Sequence, residues 1–210
     1  IIPVSSVDAA YMIDSISGYI RLNKFSTQTY REFMLSLEKL KKAGLQKLIL
    51  DLRGNGGGVL DEAVEIADEF LEGDKLITYT EGKHVDKQEY RCRRAGLFEK
   101  GKLIVLADEG TASASEVLIG ALQDWDRATI VGRRSFGKGL VQEQFDLSDK
   151  SALRLTIARY YTPIGRSIQR PYTNGKKAYA DEVNNRYHEI ESKFADSVKN
   201  NTGKMFKTKG

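Results

Sequence analysis

Two short apolar runs in this chain each lead into a loop of small residues and then into a helical pattern. The run Leu48–Leu50 is followed by the glycine-rich loop Gly54–Gly58, and the run Leu103–Leu106 by the loop Thr111–Glu116. Wholly apolar runs of this length are typical of strands buried on both faces. A repeated order of strand, loop and helix predicts an α/β fold in which loops at the strand ends carry the functional residues.

The composition describes one globular domain. The chain has 210 residues, of which 40% are hydrophobic and 30% charged, with a net charge of +4. Its basic residues are scattered, and the late group at Lys204, Lys207 and Lys209 fits a solvated end better than a nucleic-acid tail. No apolar run approaches the roughly 20 residues of a membrane span. Because the chain opens at Ile1 without a methionine, we interpret it as a piece of a longer protein.

The single cysteine, Cys92, allows no internal disulfide. The arginines beside it, Arg91, Arg93 and Arg94, would favour its thiolate, which is the nucleophilic form. No histidine lies nearby in sequence to serve as its base. An ordinary thiol is therefore the favoured interpretation, and a catalytic cysteine is the alternative.

Three hydroxyl residues, Thr111, Ser113 and Ser115, stand at the mouth of the helix that follows the second apolar run. One of them would suffice to cap the helix, by accepting a hydrogen bond from an orphan backbone N–H. The surplus hydroxyls are separated by alanines that let another backbone approach. This is what a serine nucleophile at a helix N-terminus needs.

A second cluster, Gly132–Gln142, places glycines on both sides of Lys138. These glycines would let the backbone fold closely around the lysine, giving a buried, neutral amine that accepts a proton from a serine. The two histidines, His84 and His188, fall in a polar loop and a charged tail, which disfavours a Ser-His-Asp arrangement. The alternative is a surface lysine in a turn.

Phosphate-binding loops are disfavoured by the residues at their decisive positions. The segment Gly132–Lys138 fits G-x-x-x-x-G-K, but Gly139 stands where a magnesium-binding Ser or Thr belongs, and a strand-like segment follows instead of a helix. The loop Gly54–Gly58 fails the dinucleotide pattern because Val59 occupies its third glycine position. We therefore expect no nucleotide partner.

The glycine-rich loop offers backbone donors for a developing oxyanion. Acyl transfer needs N–H groups aimed at the oxygen of the tetrahedral intermediate. Gly57 or Gly58 would expose an N–H with no side chain in the way, and Ala114, directly after Ser113, would supply the other. A tight strand-to-helix turn would by itself explain two of the glycines.

Three ordered motifs together resemble the carboxyl-terminal processing, or tail-specific, peptidases of family S41. The resemblance extends from about Gly18 to Gln169. The motifs are Asp51–Gly58, Thr111–Glu116 with the pair Gln123–Asp124, and Ser135–Gln142.

The resemblance implies a role for individual residues. In that family the nucleophile is the middle serine of the small-residue motif and the base is a lysine 25 positions later, which selects Ser113 and Lys138. A glutamine four residues after the lysine, here Gln142, would orient the amine. Asp124 matches an acidic residue tied to activity in some relatives, and we interpret it as supporting and mainly structural. No metal or other cofactor is implied.

The resemblance also implies a crotonase/Clp-protease-like core of repeated β-β-α units. We expect this core over residues 1–170, followed by a polar, partly helical extension over 171–210. Family members cleave protein or peptide substrates near unstructured C-terminal tails, and most act in the periplasm or elsewhere outside the cytoplasm. A PDZ domain usually precedes the core; it is absent from this chain, and we expect it elsewhere in the parent protein. The alternative is a non-catalytic module of the same fold that binds peptide tails without cutting them.

Overall fold

The computed structural model describes residues 4–172, 174–193 and 208–209, which form nine strands in two sheets together with four helices. In chain order the elements are β1 (Val7–Met12), β2 (Ser17–Leu22), α1 (Thr29–Lys42), β3 (Lys47–Asp51), α2 (Leu60–Asp68), β4 (Leu76–Glu81), β5 (Gln88–Arg91), β6 (Lys102–Ala107), α3 (Ala114–Asp124), β7 (Thr129–Gly132), β8 (Leu140–Asp146), β9 (Ala152–Tyr161) and α4 (Gly175–Lys193).

The first sheet has the strand order β1-β2-β3-β6-β7. Strand β1 is antiparallel at one edge, and the other four strands are parallel. The two apolar runs of the sequence are its central strands, β3 and β6, and their side chains Leu48, Leu50, Leu103 and Val105 are buried. Because β3, β6 and β7 are neighbours that run in one direction, the loops that follow them meet at the same edge of the sheet.

The second sheet is antiparallel, with the order β5-β4-β9-β8. The strand-like segment predicted after Gly139 is confirmed as β8, which forms a hairpin with β9, and β5 pairs with β4. One face of the β8–β9 hairpin carries Phe145 opposite Leu153, and both side chains are more than 40% exposed. This hairpin is therefore an open arm, although it begins directly after the Lys138 loop.

The helices join the two sheets into one core. Helix α3 contacts β7 of the first sheet and β4 of the second, and it also packs on α2. Three aromatic rings, Phe33, Phe70 and Phe98, meet edge to face in this core and are at most 1% exposed. The predicted α/β class with a crotonase/Clp-protease-like core is confirmed.

Helix α4 begins the C-terminal extension. The extension predicted to be partly helical over 171–210 contains this helix as far as Lys193, and beyond it the structure describes only residues 208–209. None of the helices in the described ranges is both long and apolar enough to cross a membrane.

Candidate active site

Two of the three hydroxyls in the loop before α3 are used to hold that loop. Thr111 Oγ1 donates a hydrogen bond of 2.8 Å to the carbonyl oxygen of Leu52, and Ser115 Oγ donates one of 3.0 Å to the carbonyl oxygen of Asn55. Both residues are fully buried. Ser113 is only half-buried; its side-chain oxygen accepts from the Glu116 backbone N–H in a capping box, and its O–H donates to no residue in the described part of the chain. Ser113 therefore carries the one hydroxyl of this loop that is open to a substrate.

The backbone of Ser113 is held in a conformation that L-residues rarely adopt. Its φ of 59° and ψ of −118° are those of the first central residue of a type II′ turn, a position that favours glycine. Such a conformation costs on the order of 1–3 kcal/mol. A strained turn between a strand and a helix also exposes the nucleophile of α/β-hydrolases. Helix α3 begins at the next residue, Ala114, so Ser113 lies at the positive end of the helix dipole.

The glycine-rich loop contacts the Ser113 loop directly. Gly57 has a φ of +89°, and a Cβ atom placed on it would lie 2.6 Å from the carbonyl oxygen of Ala112 and 2.8 Å from Ser113 Cβ. Only glycine fits there. Gly58 has a φ of +149°, and a Cβ placed on it would overlap the carbonyl oxygen of Phe25. These contacts explain why two consecutive glycines are needed beyond an ordinary tight turn.

The candidate oxyanion donors differ in whether their N–H groups are engaged. The Gly57 N–H donates a hydrogen bond of 2.9 Å to Asn55 Oδ1. The N–H groups of Gly58 and Ala114 donate to no acceptor among the described residues. Gly58 and Ala114 are therefore the pair with free donors.

Asn55 is a residue whose role sequence reasoning missed. It is fully buried, and its Nδ2 donates a hydrogen bond of 3.0 Å to the carbonyl oxygen of Leu22. Its own carbonyl oxygen accepts from the Ala112 N–H at 2.9 Å as well as from Ser115 Oγ. Asn55 thus fastens the glycine-rich loop to β2 and to the Ser113 loop. The sequence did contain a signal for this role, because Asn55 is the one residue among the four glycines of this loop whose side chain can form hydrogen bonds.

The Lys138 side chain is exposed, so the predicted buried amine is wrong for this structure. The glycines beside it serve backbone packing instead. A Cβ on Gly137 would overlap the Arg170 side chain, and the Gly139 N–H donates to Gln169 Oε1 at 3.0 Å. The flanking glycines are buried against the segment Gln169–Arg170, and the lysine between them remains in solvent.

Gln142 lies in β8, four residues beyond Lys138, and its side chain is also exposed. A β-bulge occurs between Val141 and Gln142, where β8 shifts its register against β9. No hydrogen bond joins Gln142 to Lys138, or Lys138 to the Ser113 hydroxyl, in the ranges that the structure describes.

Glu116 is a second residue that sequence reasoning missed, and it connects the two halves of the site. Its carboxylate is buried and accepts four hydrogen bonds. Oε2 accepts from the backbone N–H groups of Ser113 at 2.9 Å and Lys138 at 2.8 Å. Oε1 accepts from Ser135 Oγ at 2.7 Å and from the Gly137 N–H at 2.6 Å. The loops that carry Ser113 and Lys138 are thereby fixed to the same side chain.

Helix α4 contacts the other side of the Lys138 loop. Arg186 Nη1 donates a hydrogen bond of 2.8 Å to the carbonyl oxygen of Ser135. Glu182 pairs with Arg134 at 3.3 Å and with the buried Arg170 at 3.0 Å. Burial alone would raise the pKa of Glu182, but the hydrogen bond and charge of Arg186, together with Arg170 and Arg134, hold it below its ordinary value.

Asp124 lies at the far end of α3 from Ser113, about 16 Å away at 1.5 Å per residue. Its buried carboxylate accepts from the Ile164 N–H at 3.1 Å and from the Arg166 guanidinium. These contacts tie the end of the helix to the turn after β9, in keeping with a structural role.

The two alternative chemistries have no support in the geometry. Burial, followed by the charge of Asp68, raises the pKa of the Cys92 thiol to about 12, so the flanking arginines do not produce a thiolate. Strand β8 follows Gly139 directly, where a phosphate-binding loop requires a helix.

Comparison with known proteins identifies the family. The model of "Peptidase family S41" matches residues 16–175. The chain belongs to peptidase family S41.

Curated relatives within this S41 family are carboxyl-terminal processing proteases. The chain is 40% identical over 163 residues to the "Carboxy-terminal-processing protease" of Bartonella bacilliformis, covering 76% of this chain and 38% of that protein. It is 42% identical over 153 residues to the "Carboxyl-terminal-processing protease" of Synechocystis, covering 73% and 35%. The chain thus spans little more than a third of the length of these relatives.

A solved S41 relative has the same fold at comparable identity. The photosystem II D1 C-terminal processing protease superimposes with a TM-score of 0.69 and 38% identity, covering 79% of this chain and 44% of that one. A putative S41 protease from Bacteroides fragilis, only 17% identical, superimposes with a TM-score of 0.64 over 93% of this chain and 60% of that one, which shows the fold alone.

Proposed function

We propose that this chain is the core of a serine endopeptidase of the carboxyl-terminal processing type. Ser113 is the nucleophile, Lys138 is the general base, and Gln142 orients the lysine amine. Family membership supports a peptidase, and the names of the 40% identical relatives support carboxyl-terminal processing.

The observation that carries this proposal is the state of the Ser113 hydroxyl. The hydroxyls of Thr111 and Ser115 donate hydrogen bonds to backbone carbonyl oxygens in the core. The Ser113 hydroxyl donates no such bond and lies on a strained turn at a helix N-terminus. Ser113 also caps the helix, but a cap does not require this backbone strain, and capping leaves the Ser113 O–H free to donate. Backbone strain of this kind clusters at functional sites.

The proposed reaction is acyl transfer through Ser113. Ser113 Oγ attacks the carbonyl carbon of the scissile peptide while its proton passes to Lys138 Nζ. The N–H groups of Ala114 and Gly58 stabilise the resulting oxyanion, and Gly57 is the alternative donor once its bond to Asn55 opens. Lys138 then returns the proton to the leaving amine, and water releases the acyl-enzyme by the same route.

The exposure of Lys138 gives the substrate a part in this mechanism. A general base must present a neutral amine, whereas exposure to water favours the charged ammonium form of any lysine, which has no lone pair to accept a proton. A peptide bound across Ser113 would cover the lysine, exclude water and favour the neutral amine. We therefore expect the catalytic pair to be completed by substrate or by another part of the parent protein.

The substrates proposed are proteins with unstructured C-terminal tails, and a PDZ domain elsewhere in the parent protein would present these tails. We place the protein outside the cytoplasm, as in most of the family. Residues 1–170 form the proposed catalytic core, and residues 171–210 form an extension that contacts the Lys138 loop.

The test is cleavage of an unfolded protein substrate by the chain and by three variants. Ser113→Ala and Lys138→Ala should each lower the rate by at least about 10³-fold, since members of a catalytic unit are not replaceable one by one. Ser115→Ala, which removes a hydroxyl from the same loop, should keep the Ser113 chemistry. Because Lys138 is exposed, its loss should change the free energy of unfolding by no more than about 0.5 kcal/mol.

Activity that survives in Ser113→Ala or Lys138→Ala would refute the assignment of that residue. If the chain is silent, the same variants are compared in the longer parent protein, where the tail-binding region is expected. Binding of a peptide tail without cleavage, unchanged by Ser113→Ala, would favour the non-catalytic module.

A further inference from the structure

The carboxylate of Glu116 accepts hydrogen bonds from both loops of the proposed catalytic pair, which are also joined by a backbone bond of 2.9 Å from the Phe136 N–H to the Thr111 carbonyl oxygen. Ser113 follows β6 and Lys138 follows β7, and they are 25 residues apart in the chain. Their backbone N–H groups nevertheless donate to the same oxygen, Oε2 of Glu116, at 2.9 and 2.8 Å. At Ser113 and Lys138 themselves, the two loops are therefore joined through a single acceptor atom.

Helix capping does not account for this arrangement. A Glu at the third position of a helix commonly accepts from the N–H of the N-cap residue, and that explains the bond to Ser113. The other three donors, the Ser135 hydroxyl and the N–H groups of Gly137 and Lys138, all come from the lysine loop. An ionised carboxylate, which only accepts, suits four donors, and hydrogen bonds to a charged group are about twice as strong as neutral ones.

We propose that Glu116 is a positioning residue that holds the Lys138 loop at the distance from Ser113 that proton transfer needs. This inference rests on the peptidase activity proposed above and assigns a further residue to it. Glu116 acts through the backbone of both loops and does not touch the substrate. Since a misplacement of about 1 Å costs on the order of 10²-fold in rate, loss of this link should slow the reaction while the fold persists.

The first readout is backbone amide exchange, which requires no catalytic activity. In the unaltered chain the amides of Ser113, Gly137 and Lys138 should exchange slowly, although the Lys138 side chain is in solvent. Fast exchange at Lys138 would overturn the proposal without any variant. In Glu116→Gln the amide group keeps one acceptor oxygen and presents N–H donors at the other position, so exchange should become at least about tenfold faster in the lysine loop. If Glu116 were only a helix cap, the substitution would accelerate exchange at Ser113 alone.

The second readout is phosphonylation of Ser113 by a fluorophosphonate, followed by mass spectrometry. The Ser113 oxygen forms a bond to phosphorus, fluoride leaves, and the hydroxyl proton passes to Lys138. Glu116→Gln should slow this step about 10- to 100-fold with the far-ultraviolet circular dichroism unchanged. Ser135→Ala is the matched control, because it removes one donor to Glu116 and leaves the link between Ser113 and Lys138 intact; its rate should stay within about threefold of the unaltered chain.

The two proposals fail in different ways. Rapid phosphonylation that is equal in the unaltered chain and Glu116→Gln would refute the positioning role and leave the peptidase assignment standing. Slow exchange at the three amides, with no phosphonylation in the chain or the parent protein, would refute the peptidase and keep the structural link. If Glu116→Gln does not fold, the exchange rates of Gly137 and Lys138 in the unaltered chain still test the link, since fast exchange at Lys138 would refute it.

Discussion

The two halves of the proposed site are built in opposite ways. On the serine side, the loop residues Thr111 and Ser115 are fully buried, and Gly57 leaves no room for even one added carbon atom. On the lysine side, Lys138 and Gln142 are exposed at the base of an open hairpin. The serine loop is thus fixed by burial in the core of the fold. The lysine loop is held by hydrogen bonds from residues outside it, such as Glu116 and Arg186.

Because of this difference, substitutions on the two sides should affect different quantities: the free energy of unfolding on one side and the reaction rate on the other. A change on the serine side should cost folding free energy, because buried atoms are tightly packed and their hydrogen bonds have no replacement. A change on the lysine side should leave the fold intact and affect the reaction. A catalytic base that is completed by the substrate would also make the serine more reactive once a peptide is bound.

The largest effect is expected at Gly57. Gly57→Ala should destabilise the chain by about 3 kcal/mol or more, since a positive φ and contacts of 2.6 and 2.8 Å act together. Gly54→Ala is the matched control: it also has a positive φ, of +71°, but nothing lies within 4 Å, so we expect a cost of about 1–2 kcal/mol. Chemical denaturation of both variants measures the difference, and equal costs would show that the contact with the Ser113 loop is loose.

A smaller loss is expected from Asn55→Ala. Removal of this side chain takes away the hydrogen-bond partner of the half-buried Gly57 N–H and a buried donor to the Leu22 carbonyl oxygen. Each unpaired buried group costs about 1–3 kcal/mol, so a total of about 2–4 kcal/mol should appear in denaturant unfolding. A loss below about 0.5 kcal/mol would mean that the serine side is less rigid than its burial indicates.

The smallest effect is expected on the lysine side, at Glu182. Because its pKa in the folded chain lies below the ordinary 4.5, the ionised form favours the docking of α4 on the Lys138 loop. This contribution should be complete at neutral pH and should be lost as the pH falls below about 4.5 and through the lowered pKa. Since the pairs are partly exposed, Glu182→Gln should cost less than about 1 kcal/mol.

Amide exchange in α4 between pH 7 and 3, with and without 1 M salt, measures this effect. Glu182→Gln should remove most of the dependence on pH and salt. If the dependence on pH and salt persists in Glu182→Gln, charges other than Glu182 hold α4 against the Lys138 loop.

The sequence predicted the part of the site that depends on local pattern. Apolar runs followed by small residues identified β3, β6 and the loops after them, and the parallel order of those strands brings the motifs together. Burial of Lys138 was predicted wrongly, since flanking glycines allow close backbone packing without specifying which atoms are covered. Asn55 and Glu116 were missed because their roles depend on partners from distant segments, such as Leu22 and the lysine loop, which no local spacing reveals.

The backbone of Ser113 has a consequence for which residue suits this position. Glycine would adopt the Ser113 φ of 59° without strain. In denaturant unfolding, the free energy of unfolding of Ser113→Gly should therefore be about 1 kcal/mol higher than that of Ser113→Ala. The replacement that best suits the fold at this position would therefore abolish the proposed chemistry. Stability and the proposed chemistry therefore favour different residues at this one position.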